Sequence, residues 1–375
     1  MLQKALVLAL LVASIAGCIG CGTTANHYVY ATLPAANQLI AYREDPNSGV
    51  LTQVAGSPYS VGSGANSVVL HPSGKYLYVS NPGQNENDIS LFDIAADGVL
   101  TEVFPRTSVV PYTLPGFLAM DPAGKYLYVA NVGSNNISAF SISGTGALTP
   151  VNGSPFSTQL PILNMKLTPS GNYLYITSSS GAGQPSGVIE AFSVTAGVLQ
   201  PIQPVSVFLT AGNNPNGLTI DPSGTYLYVA NSSSNSISIF AIASSGSLQQ
   251  VQNSPINSTY TVPISLTLDP AGKFLYVANQ GSSNVAAYAI SPSTGLPSIL
   301  TITSTTGTTG VTTTAFTTEP SPSYLAVDPS GKYLFVGNQG GSAGIQSLVT
   351  NSGNLLNVNT YGVGNTPSSI AVLGK

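Results

Sequence analysis

The chain has 375 residues, of which 43% are hydrophobic and only 6% charged, with a formal net charge of -4. Soluble proteins ordinarily carry about 25% charged residues, so hydroxyl and amide groups must solvate this surface. The charge balance excludes the basic field that nucleic-acid binding needs, and the apolar content excludes a disordered chain.

The N-terminus differs in kind from the rest. Lys4 supplies a short positive region, Ala5 to Ala13 an apolar run, and Ile15-Ala16-Gly17-Cys18 the small-residue pattern that precedes a cleavage site. The run is too short to span a bilayer. Ile15-Ala16-Gly17-Cys18 resembles the lipobox of bacterial lipoproteins, whose cysteine is acylated and becomes the first mature residue. That resemblance implies a signal peptide over 1–17, a lipidated tether over 18–26, and Cys18 as the anchor. Ordinary secretion is the alternative. Cys21 suits the anchor less well, because Cys18 would then occupy its upstream apolar position. The two cysteines also suit a disulfide or a metal pair, but no further cysteine completes a site. Ile19, in place of the aspartate that retains enterobacterial lipoproteins at the inner membrane, points to the outer membrane.

From residue 27 onward one segment recurs. Its clearest copies are Asp121-Pro122-Ala123-Gly124-Lys125-Tyr126-Leu127-Tyr128-Val129-Ala130-Asn131 and Asp269-Pro270-Ala271-Gly272-Lys273-Phe274-Leu275-Tyr276-Val277-Ala278-Asn279. Others begin at His71, Thr168, Asp221 and Asp328, and His27-Tyr28-Val29-Tyr30-Ala31 is a copy without its first half. The first aromatic of each copy falls at 28, 76, 126, 173, 226, 274 and 333, a spacing of about 50 residues that fits propeller blades or solenoid repeats.

Each unit reads as four short strands with no helical spacing. In the fifth unit, Gly217 to Ile220 is an apolar run. Asp221-Pro222-Ser223-Gly224 is a tight hairpin, with proline presetting φ and glycine free to turn left-handed. Tyr226 to Val229, Ile237 to Ile242 and Leu248 to Val251 complete the unit. Such a sheet has two apolar faces and must stack on its neighbours. The first unit lacks its innermost strand, and Ser369-Ile370-Ala371-Val372-Leu373 has no hairpin after it. Pairing the last strand with the first closes the ring and removes its edges. The prediction is an all-β, seven-bladed propeller over 27–375. A closed ring needs no partner to fold, which predicts a monomer.

The repeat also resembles the lactonase-type propellers, which include the bacterial propeller 6-phosphogluconolactonases and the related YVTN repeat proteins. The likeness rests on Asp-Pro-x-Gly-Lys-(Tyr/Phe)-Leu-Tyr-Val-Ala-Asn at 121–131 and 269–279, with Tyr78-Val79-Ser80-Asn81 and Phe335-Val336-Gly337-Asn338 as variants. It covers nearly all of the mature chain and implies lactone hydrolysis. The absence of tryptophan sets aside the WD40 class and quinone-binding propellers. The fourth unit departs most, with Thr168, Asn172 and Ile176-Thr177-Ser178 at usually regular positions.

In propellers, ligands bind on the face formed by the blade-connecting loops and the loops between second and third strands. The Asp-Pro-x-Gly-Lys hairpins lie on the opposite face. Asp121, Asp221, Asp269 and Asp328 therefore read as hairpin residues bonding nearby amides, and the repeated lysines as solvated charges. His71 takes a turn-aspartate slot and His27 a turn-lysine slot, so neither is placed for acid–base catalysis.

Departures from the repeat remain. Lys166 replaces a small neutral residue on the innermost strand of the fourth unit; it can bind an anion in the channel, or pack its stem between blades with the amine in water. Arg106, placed on a blade-connecting loop near Tyr112, and Glu190, early in a third strand, can each face the channel or be a surface charge. Asn81 to Asp88 is oxygen-rich but lacks the full spacing of a calcium loop, so no metal is expected. No cofactor is expected either. The threonine-rich stretch from Ile302 to Pro320 reads as a long loop, a flap over the channel face. The poverty of ionisable groups on that face favours a non-catalytic binding scaffold for a glycan, lactone or protein ligand, with contact to a membrane only through the lipid. The alternative is a lactone hydrolase.

Overall fold

The computed structural model describes residues 27–83, 86–178, 187–202, 208–209, 212–304, 311–341 and 344–374. The proposed signal, tether and both cysteines lie outside them. Seven antiparallel sheets of four strands form the blades. No helix among the described residues is long and apolar enough to cross a membrane.

Alternation along each second strand decides the packing. In Tyr76–Asn81, Leu77 and Val79 turn towards the first blade and Tyr78 towards the third. The same division recurs in every blade, so the core is seven apolar clusters, one at each blade–blade interface. The repeat tyrosines staple these interfaces. Tyr78, Tyr175 and Tyr228 donate to the carbonyls of Gly146, Gly246 and Gly295 in the next blade, at 2.7, 2.7 and 2.9 Å. The seventh blade has Phe335 in that place. There, Ser347 supplies the bond instead, donating to Gly49 O at 2.8 Å.

The C-terminal strand Ser369–Gly374 pairs antiparallel with His27–Leu33, from His27 opposite Gly374 to Thr32 opposite Ser369. The ring is therefore closed by the two ends of the chain, as the sequence predicts, with two further paired residues. On the opposite side of the molecule from the blade connections, the turn aspartates act locally: Asp221 Oδ1 accepts from the Thr225 and Tyr226 amides at 2.7 and 2.6 Å.

Two segments differ from expectation. The single outer strand is broken in five blades, with short second pieces at Tyr59–Ser60, Phe156–Ser157, Phe208–Leu209, Ile256–Asn257 and Ala315–Thr317. In three of them a serine stands in the gap: Ser57, Ser154 and Ser254 Oγ accept from the amides of Ala41, Ala139 and Ile239, at 2.8, 2.9 and 2.8 Å. A side chain replaces the missing ladder rung. Outside residues 305–310, which are not described, the stretch from Ile302 to Pro320 is built largely of paired strands rather than a long loop. Ile302–Ser304 pairs with Val311–Thr313, Ile302 is buried against Leu348 and Leu355 of the seventh blade, and Ala315–Thr317 returns to pair with the sixth.

Candidate functional site

The seven innermost strands surround a central cavity of about 670 Å³, a volume suited to a small ligand. At the level of Lys166 the strand registers bring together Val69, Ala119, Thr219, Thr267, Ala326 and Ala371. Nearer the connection face the wall is built of Ser67, Asn164, Ser265, Tyr324 and Ser369. Several of these polar groups are already engaged between neighbouring blades. Ser369 Oγ accepts from Val68 N and Ser67 Oγ from Leu118 N, each at 3.2 Å, and Asn164 Nδ2 donates to Asn216 O at 2.9 Å.

Lys166 is the only lysine, arginine, histidine or carboxylate among the described residues lining the cavity. Its side chain is exposed to the channel, and desolvation by the surrounding wall lowers its pKa below that of an ordinary lysine. A neutral wall with one cation favours a ligand that is polar and bears a single negative charge or a strong dipole.

The other sequence candidates do not reach this wall. Arg106 lies on the outer strand Leu100–Ser108 rather than a loop; its Nε donates to Glu102 Oε1 at 2.7 Å, and Nη1 lies 3.5 Å from Glu86 Oε2. A register shift between Val103 and Thr107 takes the strand out of regular extension and brings Arg106 back to Glu102, where an ion pair forms. Tyr112 is half-buried in the turn that follows Val109.

Glu190 is 4% exposed on the third strand of blade 4. It accepts from the amides of Gln159 and Leu160, at 2.9 and 3.2 Å, and from Ser178 Oγ at 3.5 Å. Burial raises its pKa, and these hydrogen bonds pull it back. It fixes the connection between the third and fourth blades. The oxygen-rich loop is similarly engaged: Asp88 Oδ1 accepts from Asn81 Nδ2 at 2.7 Å, and Glu86 from Ser63 N.

One grouping was not anticipated. On the hairpin face, at the seam between the last and first blades, His27 Nδ1 lies 3.5 Å from Glu44 Oε2 and 3.7 Å from Asp328 Oδ2. All three residues are buried. Burial, then the Asp328 carboxylate and then Asp45 push the Glu44 carboxyl up to about 8. A sequence signal existed, since Glu44 occupies a position that is Ile94, Ile142, Val194, Ile242, Ile290 and Thr350 elsewhere.

Fold and channel together define a closed seven-bladed propeller with a small-ligand cavity on its axis. The family model for lactonase, 7-bladed beta-propeller, matches residues 23–162 and 164–301, and the chain belongs to that family. Among solved structures, it is similar to a putative 6-phosphogluconolactonase from Bacteroides fragilis, at 18% identity and TM-score 0.76, covering 94% of this chain and 99% of that one. A periplasmic gluconolactonase from Pseudomonas aeruginosa is similar at 19% identity and TM-score 0.74, covering 93% and 99%. At such identities the likeness concerns the fold alone. A search against curated proteins finds no match.

Proposed function

We propose that the protein is a non-catalytic binding propeller of the cell envelope, held by lipid at Cys18, which takes a polar, anion-bearing small ligand or glycan into its channel. The observation that carries this reading is the neutral wall. Hydrolysing a lactone needs a base or a metal to activate water, and the described lining residues include no carboxylate and no imidazole. Among the described lining residues Lys166 provides the one charge a ligand can pair with. Glycan-array binding and calorimetry with sugar acids test it; binding without turnover, weakened at least tenfold in Lys166→Ala, supports the reading.

A lactone hydrolase is the second reading, motivated by family membership and by the lowered pKa of Lys166, since a neutral amine can act as a base. Incubation with 6-phosphogluconolactone and gluconolactone, corrected for spontaneous hydrolysis, separates the two. Turnover abolished by both Lys166→Ala and Lys166→Arg, the latter keeping the cation without an accessible base, overturns the binding reading. For the anchor, loss of fatty-acid labelling in Cys18→Ser is the expected result, and unchanged labelling refutes it.

A further inference from the structure

The repeat is broken twice at the point where the ring closes. Where the other blades begin the second strand after Lys75, Lys125, Asn172, Thr225, Lys273 and Lys332, blade 1 has His27; directly opposite, in place of an isoleucine, valine or threonine, it has Glu44. These two departures are ladder partners. The third member, Asp328, comes from the hairpin of blade 7, so the cluster bridges the seam between the first and last blades.

A buried carboxylate in a once-apolar position costs several kcal/mol unless a counter-charge and hydrogen bonds offset it. Glu44 is 1% exposed, and neither of its carboxylate oxygens has a hydrogen-bond partner. His27, 7% exposed, also leaves Nδ1 without one. Separations of 3.5 and 3.7 Å leave the imidazole without a hydrogen bond to either carboxylate. They are close to the edge of a tetrahedron with zinc–ligand arms of about 2.0–2.1 Å, which is about 3.4 Å.

We propose that His27, Glu44 and Asp328 are the three protein ligands of one divalent transition-metal ion, with zinc(II) the best fit, which clasps blade 7 to blade 1. One imidazole nitrogen and two carboxylates form a familiar type of zinc donor set and leave a fourth position for water. The set has too few oxygens for calcium. Two carboxylates also match the charge of a divalent ion. Outer partners already orient the Asp328 carboxylate: Oδ1 accepts from Tyr333 N at 2.7 Å, and Oδ2 from Ser330 N at 3.0 Å and from the Ser330 hydroxyl. Asp221 is held by the same turn bonds, so the hairpin common to the blades supplies a carboxylate already fixed in place.

The seam between blades 2 and 3 shows how a histidine behaves here without an ion. His71 sits in a turn-aspartate slot, with Nδ1 2.8 Å from Ser73 Oγ and Nε2 2.9 Å from Gly124 O. Both its ring nitrogens are engaged, and no glutamate faces it.

The test is zinc binding by the purified full chain after chelator treatment, measured by equilibrium dialysis with metal analysis, beside Glu44→Gln and His27→Gln. Glu44→Gln keeps the shape and removes the buried charge, so it folds, and circular dichroism checks that it does. The expected result is one zinc more per chain in the wild type than in either variant, with affinity falling more than about a hundredfold, beyond the ~10–100-fold cost of losing an outer partner. Any ion held by Cys18 and Cys21 is retained equally in all three proteins and cancels. Cobalt(II) substitution is expected to give the intense visible absorption of a four-coordinate site in the wild type alone. Equal zinc content in wild type and Glu44→Gln, or no zinc bound by the wild type, overturns the proposal.

Discussion

Two buried glutamates stand on third strands of this propeller, and the chain treats them differently. Glu190, on the connection side of blade 4, has three hydrogen-bond donors around it. Glu44, on the hairpin side of blade 1, has none and stands beside a histidine and a second carboxylate without a hydrogen bond to either. Blades 3 and 5 explain Glu190: there Asn131 and Asn231 donate to Ser138 and Ser238, and blade 4 replaces that asparagine–serine pair with Ser178 and Glu190. One change is compensated by donors of the chain itself, on its own blade and on the connection that enters it. The other is satisfied only by something added, and such a residue points to a ligand.

The comparison can be broken most forcefully through pH. Glu44 has its carboxyl raised from 4.5 to about 8 on folding, so folding takes up a proton between those values. Its contribution is fully present below about pH 4.5, is lost as pH rises towards about 8, and changes no further above that. Urea unfolding of metal-free protein is therefore expected to show a fall of several kcal/mol across this window, much reduced in Glu44→Gln; parallel profiles would contradict the unsatisfied state of Glu44.

Glu190→Ala strands the amides of Gln159 and Leu160, which is expected to cost about 2–4 kcal/mol in the same assay. A loss below about 0.5 kcal/mol would erase the contrast between the two glutamates. Smaller effects sharpen it at the level of single hydroxyls. Tyr228→Phe deletes a bond to Gly295 O and is expected to cost about 1 kcal/mol, whereas Tyr128→Phe, whose hydroxyl has no partner, should be neutral or stabilising. Lys166→Met should change stability least, by under about 1 kcal/mol, because its amine already reaches channel water; a large loss would make it a structural residue rather than a ligand contact.

Most of the fold was legible because the repeat carries it. A hairpin of aspartate, proline and glycine followed by an aromatic strand fixes two strands of every blade, and the unpaired strand at 369–373 fixes closure. The broken outer strands were less visible: the signal, Gly56-Ser57-Pro58 and Gly153-Ser154-Pro155 with Asn253-Ser254-Pro255, lies in a side chain substituting for a backbone rung, which strand patterning does not register. The stretch after Ile302 was misjudged for a related reason, since threonine-rich sequence suits both a loop and a short hairpin.

Of the site, Lys166 was found because it interrupts a column of small residues. Arg106 was misplaced because its outer strand runs to Ser108, far longer than the three residues of Leu148–Pro150. Glu44 went unnoticed because its significance depends on Asp328, nearly three hundred residues later in the chain, and only ring closure sets them side by side.

Closure by the two chain ends also fixes an orientation. The chain joins the ring at His27, on the hairpin face, so anything that holds residue 18 holds that face. Nine residues, 18–26, reach at most about 30 Å when extended, less than the width of a bilayer with its headgroups at roughly 40–45 Å. With residue 18 held by lipid, as proposed, so short a leash would turn the hairpins towards the membrane and present the opposite mouth of the channel, with its blade connections and serine–asparagine rim, to whatever diffuses past.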